Sequence, residues 1–278
     1  MDTQFLESTK AFIDLLGLDE EPLGVFFSDE KPDPGFGLKP SDMPTREKEE
    51  KNEVDWHSVF SNFGCIMGNI RRGRRKNIPA YFSKEQFGCA GGAFWLGFLK
   101  PQTETIIQYV STGIPGQMEG EFYCDSPDHL REIFQYVDPP AIEKTYCIFK
   151  PLSQFVRQEM PELVVFFTHP EVLSGLHQLA TFVTNDPEVV VSPWSASCGS
   201  LVGWPRHYLA KGLNKAVLGG WDPSARKYFQ KDELSFTVPF NMFEDMVNRR
   251  EESFLMHETW MSVRERIEKK KGNKGEAQ

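Results

Sequence analysis

Five cysteines are the residues of this chain best suited to bind a metal or to act as nucleophiles, and three of them share an unusual setting. Cys65 follows a glycine, Cys89 lies in the run Gly-Cys-Ala-Gly-Gly-Ala at 88–93, and Cys198 lies in Ser-Ala-Ser-Cys-Gly-Ser at 195–200. Cys124 and Cys147 each follow a tyrosine and have no such small neighbours. Because small residues let a bulky group approach the backbone closely, the sequence favours Cys65, Cys89 and Cys198 as one metal-ligating group.

The glycines around Cys89 suggest a site for a cofactor. Gly88, Gly91 and Gly92 fall in the first turns of a predicted helix, where each glycine costs about 0.8–1 kcal/mol relative to alanine. That cost is reasonable where backbone N–H groups must point at sulfur or at an anion, and those N–H groups would also lower the pKa of a nearby thiol. Tight packing between helices explains the same glycines equally well. Arg226 joins them as a candidate anion ligand, although it could equally close a surface turn.

Cysteine spacing excludes the compact thiol motifs. No two cysteines form a CxxC pair, so a zinc knuckle and a thioredoxin-type site are both excluded. The odd number of cysteines and an N-terminus without the features of a signal peptide argue against a disulfide framework. Buried structural thiols remain an alternative for every cysteine, since free cysteine is among the most buried residue types.

Histidines and basic residues give weaker signals. The six histidines show neither HxxxH nor HExxH spacing, and the chain has no GxSxG, Walker or GxGxxG motif. A nucleophilic Cys89 would need a base, for which His169 and His207 are candidates. The basic run at 71–76 is interpreted as a solvated helix end or a docking patch rather than as a phosphate site.

Composition limits the partners. The 278 residues carry 31 Lys and Arg against 40 Asp and Glu, a formal net charge of −9, which argues against a nucleic-acid binder. The longest apolar run, at 90–99, has about half the roughly 20 residues of a membrane-spanning helix. We therefore expect a cytoplasmic protein with a small-molecule ligand or a redox partner, without nucleic acid or membrane. The sequence does not indicate an oligomeric state.

Hydrophobic periodicity predicts an α+β fold in a single domain over residues 1–268, with a mixed or antiparallel sheet of short strands packed with several helices. Residues 29–53 are predicted to form a long solvated loop and residues 269–278 a disordered basic tail. The predicted strands lie at 23–27, 106–110, 145–149, 163–167, 189–192, 215–218 and 234–238. The predicted helices cover 5–16, 56–63, the stretch after a capping box at 83–86, 127–137, the stretch after Pro170, and 242–267.

Several short motifs follow one another in a recognisable order between about Phe5 and Trp260. They are Pro22–Phe27, Cys65 with Gly68, Phe87–Ala93, Lys150–Leu152, Pro161–Phe167 before Pro170, Ser197–Gly199, Ala225–Lys227 and Leu234–Pro239. In this order they resemble the DUF169 family of uncharacterised proteins, which is common in anaerobic bacteria and archaea. The resemblance implies that Cys65, Cys89 and Cys198 belong to the family pattern and that Cys124 and Cys147 do not. It implies no activity.

Two functions of different classes follow. In the first, Cys65, Cys89 and Cys198 bind an iron–sulfur cluster, for example [4Fe–4S], and leave one iron open for redox or Lewis-acid chemistry on a small metabolite. Zinc on the same thiolates is the close variant. In the second, the protein is a non-enzymatic sensor or carrier that binds a small anionic metabolite or cofactor. Whether the protein is an enzyme is left open.

Overall fold

The computed structural model of the protein describes residues 3–39, 46–55, 58, 64–99 and 103–275. Within these ranges an eight-stranded sheet has helices on both faces, which confirms the predicted α+β class and the mixed sheet. The predicted helix at 56–63 falls almost entirely outside the described residues.

The strand order in the sheet is β2-β3-β6-β1-β7-β10-β9-β8, and a separate hairpin pairs β4 with β5. Pairing is antiparallel through the six central strands and parallel at both edges, β2 with β3 and β8 with β9. The strands are β1 Leu23–Ser28, β2 Phe36–Gly37, β3 Ala80–Ser83, β4 Gly113–Ile114, β5 Met118–Glu119, β6 Tyr146–Pro151, β7 Leu163–Thr168, β8 Val190–Val191, β9 Ala216–Gly219 and β10 Leu234–Pro239.

The helices pack on both faces of this sheet, with a π-helical turn at Gly199–Gly203 leading into one of them. The α-helices are α1 Thr3–Leu16, α2 Arg46–Glu50, α3 Ile66–Lys76, α4 Ala90–Leu96, α5 Glu104–Val110, α6 Pro127–Tyr136, α7 Pro170–Thr184, α8 Trp204–Ala210, α9 Phe240–Asn248 and α10 Glu258–Gly275.

Alternation along the central strands divides the core into two. In β7, Val164 and Phe166 point into a core built with α1, α7, α9 and α10, whereas Leu163, Val165 and Phe167 point into the core on the opposite face. Successive side chains of a strand face opposite sides, so a strand buried on both faces is apolar throughout. The second core contains Cys198, and Cys65 packs against it, so the cysteine site belongs to this face.

Two element predictions near the cysteines are wrong. Residues 106–110 form the end of helix α5 rather than a strand, because Ile106, Ile107 and Val110 also lie on one side of a helix at i, i+1 and i+4. The run at 83–86 is a tight turn at the end of β3, with a bridge between Ser83 and Gln86, and the helix begins only after Cys89.

Three further segments differ from the predictions. The region 29–53, predicted to be a loop, contains β2 and α2. The predicted helix at 242–267 is interrupted between α9 and α10, where buried Ser253 accepts a hydrogen bond from the Leu255 N–H and closes a 3-10 turn. Helix α10 continues to Gly275, past the predicted start of a disordered tail at 269, since Lys and Glu are good helix formers.

Candidate functional site

The structure brings Cys65, Cys89 and Cys198 together around one cavity. They come from three segments of the chain: Cys65 precedes α3, Cys89 precedes α4, and Cys198 precedes the π-helical turn. The cavity has a volume of about 80 Å³. One water needs roughly 10–15 Å³ on the same measure, so the cavity has room for a compact group of a few atoms.

A backbone contact between two glycines places Cys65 beside Cys89. The Gly64 N–H donates to the Gly88 carbonyl oxygen at 3.1 Å, one residue before each cysteine. Gly88 has φ +81°, and a Cβ at this position would lie 1.9 Å from the Gly64 oxygen. Only glycine combines this conformation with so close an approach, so Gly88 positions the two thiols.

Cys198 is held against α4 by glycines of its own segment. A Cβ on Gly199 would lie 2.7 Å from the Trp95 ring, and one on Gly203 would lie 2.5 Å from it. The absence of side chains at these positions lets the π-helical turn rest on Trp95. Tight packing, the alternative explanation given for Gly88, Gly91 and Gly92, therefore applies to Gly88 and also to Gly92, whose Cβ would lie 2.3 Å from Ile66 Cδ1.

Backbone N–H groups surround two of the sulfurs. The Gly92 N–H donates to Cys89 Sγ at 3.1 Å. The N–H groups of Met67 and Gly68 lie near enough to Cys65 to lower its pKa, although its thiol makes no capping hydrogen bond. Such N–H groups stabilise negative charge on sulfur, as a thiolate ligand requires.

Burial outweighs these N–H groups and raises the pKa of all three thiols. Desolvation raises the pKa of Cys89 to about 12, although part of its surface is open to the cavity, and the charge of Cys65 adds to the effect. Burial also raises the pKa of Cys198, with smaller contributions from Cys89 and Cys65. The N–H groups do lower the pKa of Cys65 and Cys89, as predicted, but burial is the larger effect and the net change in pKa is upward. The thiols are protonated at neutral pH, and a metal must displace their protons.

Acidic and phenolic side chains form another part of the cavity wall, which sequence reasoning missed. Glu121, Tyr109, Tyr123 and Asp222 all line the cavity. The pKa of Glu121 is raised by burial and by the charge of Asp222, while hydrogen bonds from Tyr109 and Ser224 act against this rise. The Glu121 carboxyl group can therefore hold a proton more readily than an exposed glutamate.

An unusual backbone conformation accompanies this wall. Phe122 has φ +53° and its side chain is 65% exposed, while its two neighbours, Glu121 and Tyr123, line the cavity. A positive φ is rare for a bulky residue and carries strain that the surrounding structure must offset. With this conformation, the residues on either side of Phe122 line the same cavity while Phe122 itself points to solvent.

Asp222 connects the acidic wall to the segment that carries Cys198. Its Oδ2 accepts a hydrogen bond from the Ser197 N–H at 3.2 Å, and its Oδ1 accepts from the Ser224 N–H at 3.0 Å and the Ser224 hydroxyl at 2.8 Å. The Ser224 N–H also donates to the Tyr123 hydroxyl. Asp222 is buried, so these bonds fix the position of Cys198 relative to the cavity wall.

The predicted cofactor-binding residues have different roles. Gly91 and Gly92 line the cavity, whereas Gly88 acts through the backbone contact described above. The Arg226 guanidinium donates to four backbone carbonyl oxygens, those of Gly220, Glu233, Gln230 and Lys231. Arg226 thus closes its own loop, the second of its two interpretations, and does not line the cysteine cavity.

The remaining cysteines and the candidate bases lie elsewhere. Cys147 is buried within β6, and Cys124 is a half-buried neighbour of Asp125. His207 is buried, and its Nδ1 accepts a hydrogen bond from the Asp138 N–H at 3.0 Å. His169 lies at the start of α7, beside Asp19. Neither histidine lines the cavity, and the described residues of the cavity wall include no other histidine that could act as a base for Cys89.

The basic run at 71–76 is partly structural. Arg74 is nearly buried and forms an ion pair with Glu233 at 2.5 Å, and its guanidinium lies 4.0 Å from the centre of the Phe167 ring. Arg71 donates to the Lys227 carbonyl oxygen at 2.7 Å. These contacts join α3 to the loop that carries Arg226.

The described residues lack two further features. Over that part of the chain, no group of three or more His, Cys, Asp or Glu side chains has the spacing of a site for a single metal ion. None of the described helices is both long and apolar enough to cross a membrane.

Comparison with known proteins gives a single result. The model of a protein family, DUF169, described as uncharacterised ArCR, matches residues 11–249. No curated protein and no solved structure matches the chain.

Proposed function

The chain belongs to the DUF169 family, and we propose that it binds an iron–sulfur cluster of the [4Fe–4S] type through Cys65, Cys89 and Cys198. The observation that carries the proposal is the convergence of these three cysteines on one small cavity while Cys124 and Cys147 stay outside it. The three are far apart in the chain, and chance burial of thiols in a core does not require that they meet.

The surroundings of the sulfurs support this proposal. Ile66, Trp95, Ile106 and Phe134 line the cavity and would limit the access of water. The N–H groups near Cys89 and Cys65 would stabilise the thiolates once their protons are lost. The small volume suits a compact inorganic group and excludes a nucleotide-sized cofactor from this cavity.

Three thiolates would leave one iron of such a cluster open to a further ligand, and that iron would supply redox or Lewis-acid chemistry on a small metabolite. Glu121 and Asp222 belong to the wall of the cysteine cavity and would act beside such a cluster. Glu121, hydrogen-bonded to Tyr109 and raised in pKa by burial, can hold a proton beside the cavity. Asp222 orients the Cys198 segment through the Ser197 N–H. Glu121 is therefore placed to exchange a proton with a bound metabolite, and Asp222 is a positioning residue.

The zinc variant of this function and the alternative function, a non-enzymatic carrier of an anion, are both less well supported. Zinc requires its thiolates around one ion, at about 2.3 Å each, and the described side chains have no such spacing, so they would have to move. A four-iron cluster binds each thiolate on a different iron. An anionic ligand, as the carrier function requires, would meet Glu121 and Asp222, and the described residues that line the cavity include no Lys or Arg.

Replacement of single cysteines tests the proposal. The full chain is purified without oxygen and reconstituted with iron and sulfide, and its bound iron and sulfide are measured. We expect Cys65→Ser, Cys89→Ser and Cys198→Ser each to lose most of both. Cys124→Ser is the matched control, because Cys124 lies outside the cavity and is half-buried. Equal iron retention in all four variants would contradict the assignment of the ligands.

A further inference from the structure

A second, larger pocket adjoins the cysteine cavity. It has a volume of about 390 Å³, and Tyr123, Trp194 and Asp222 belong to the walls of both spaces. Its wall also includes Trp221, Gly219 and Gly220. We call this pocket the vestibule. Its volume is that of an ordinary small-molecule site, which the cysteine cavity alone is not.

The vestibule presents aromatic surface in fixed positions. Trp221 is 56% exposed and Trp194 is 39% exposed, both unusual for tryptophan. The Trp221 Nε1–H donates to Ser192 Oγ at 2.9 Å, which fixes the indole ring. The Trp194 carbonyl oxygen accepts from Trp204 Nε1–H at 3.1 Å, which holds its backbone, and the Trp194 ring packs edge-to-face against Phe134 with 6.4 Å between the ring centroids. Exposed rings that are held in place in these ways are suited to stack on a planar ligand.

The charge of the vestibule selects among planar ligands. Asp222 contributes a carboxylate, and the described residues of the vestibule wall include no Lys or Arg. Ser195 adds a hydroxyl group that can donate or accept a hydrogen bond, whereas the Ser192 hydroxyl already accepts from Trp221 and donates to the Leu218 carbonyl oxygen. The faces of tryptophan rings attract cations, so aromatic faces beside a carboxylate favour a positive or neutral ligand over a negative one.

We propose that the vestibule binds an aromatic nitrogen heterocycle, neutral or positively charged, stacked on Trp221 and Trp194 with its edge directed between Tyr123 and Asp222 toward the cysteine cavity. That this ligand is the substrate of the bound cluster rests on the proposed function, whereas its binding in the vestibule does not. As a substrate, the heterocycle would reach the open iron from the vestibule, without passing through the apolar core.

Calorimetric titration of the full chain tests the proposal with two probes that share one ring system. N-methylquinolinium is the cation, and quinaldate is the corresponding carboxylate. We expect the cation to bind at least about tenfold more tightly than the carboxylate, both with and without iron. Trp221→Ala should weaken binding of the cation about tenfold, and Trp221→Phe, which keeps an aromatic face, should restore most of it. Tyr136→Ala, at an exposed aromatic residue outside the vestibule, is the control.

Two results would overturn the inference: tighter or equal binding of quinaldate, or unchanged affinity for the cation in Trp221→Ala. Its failure can be distinguished from failure of the proposed function. A chain that holds iron but binds neither probe refutes the vestibule alone. A chain that binds the cation at Trp221 but never retains iron refutes the cluster and leaves the vestibule as a ligand site.

Discussion

Adjacent glycines in α4 provide a matched pair of substitutions with opposite expected effects. A Cβ at Gly92 would lie 2.3 Å from Ile66 Cδ1 and 3.2 Å from Cys89 Sγ. A Cβ at Gly91 would meet only Ile106 Cδ1, at an ordinary contact distance of 3.5 Å. Both residues lie in the same turn, so the intrinsic preference of a helix for alanine over glycine applies to both.

The magnitudes follow from these contacts. Gly91→Ala should stabilise the protein by about 0.5–1 kcal/mol, because alanine restricts the unfolded chain and is a better helix former. Gly92→Ala gains the same amount but overpacks Ile66, because the new Cβ would lie 2.3 Å from its Cδ1 and 3.1 Å from its Cγ1. Overpacking costs about 1–3 kcal/mol, so we expect a net loss of about 1–2 kcal/mol.

Guanidinium denaturation of the metal-free proteins, in one buffer and at one pH, measures the free energy of unfolding of each variant against the unsubstituted chain. The expected gap between the two variants is about 1.5–3 kcal/mol, with Gly91→Ala the more stable. Two variants of equal stability, or the reverse order, would refute the described packing of Gly92 between Ile66 and Cys89.

Three other predictions concern charge and position. Arg74→Ala leaves the buried Glu233 carboxylate without the guanidinium it pairs with, so the free energy of unfolding should fall by about 3–5 kcal/mol. Arg71→Ala, which removes a hydrogen bond to a backbone carbonyl, should lower it by about 1 kcal/mol. Equal losses in the two variants would contradict this account. Burial raises the pKa of Cys89 from 9.0 to about 12. Below pH 9.0 the Cys89 thiol is neutral in both the folded and the unfolded protein. Between about pH 9 and 12 it ionises only in the unfolded protein. The stability of the metal-free protein should therefore fall as pH rises from about 9 to 12, and a Cys89→Ala variant with the same slope would refute this. Asp222→Ala removes the acceptor of the Ser197 N–H, so iron retention should fall while the circular dichroism spectrum is kept; full retention would contradict the positioning role.

The sequence was sufficient to group the three cysteines, although the reason for the grouping was partly wrong. Their small neighbours predicted space for a bound group, and Gly91 and Gly92 do line the cavity. Gly88, Gly199 and Gly203 serve instead to bring the cysteine segments together. Both roles require a missing side chain, so residue type alone could not separate them.

The acidic wall could not be predicted, because it forms from segments far apart in the chain. Tyr123 and Ser224, which are 101 residues apart, meet in a hydrogen bond. The chain shows no motif at Glu121, and its position depends on the positive φ of Phe122, which no residue preference indicates. The Asp-Pro-Ser run at 222–224 is a recognisable turn signal in the same loop as Arg226, but a turn signal does not indicate that its aspartate lines a cavity.

Element predictions succeeded where burial on both faces left continuous apolar strands, as in β7. They failed at α5, where Ile106, Ile107 and Val110 fit a strand and a helix equally well. Short apolar segments carry this ambiguity because their periodicity is too brief to distinguish a repeat of two from one of 3.6.

The content of iron and acid-labile sulfide in the full chain, purified without oxygen, tests the central claim most directly. The account predicts about four irons and four sulfides per chain, with a broad absorption band near about 400 nm that disappears on removal of the iron. A colourless protein that holds neither iron nor sulfide after anaerobic reconstitution would contradict it.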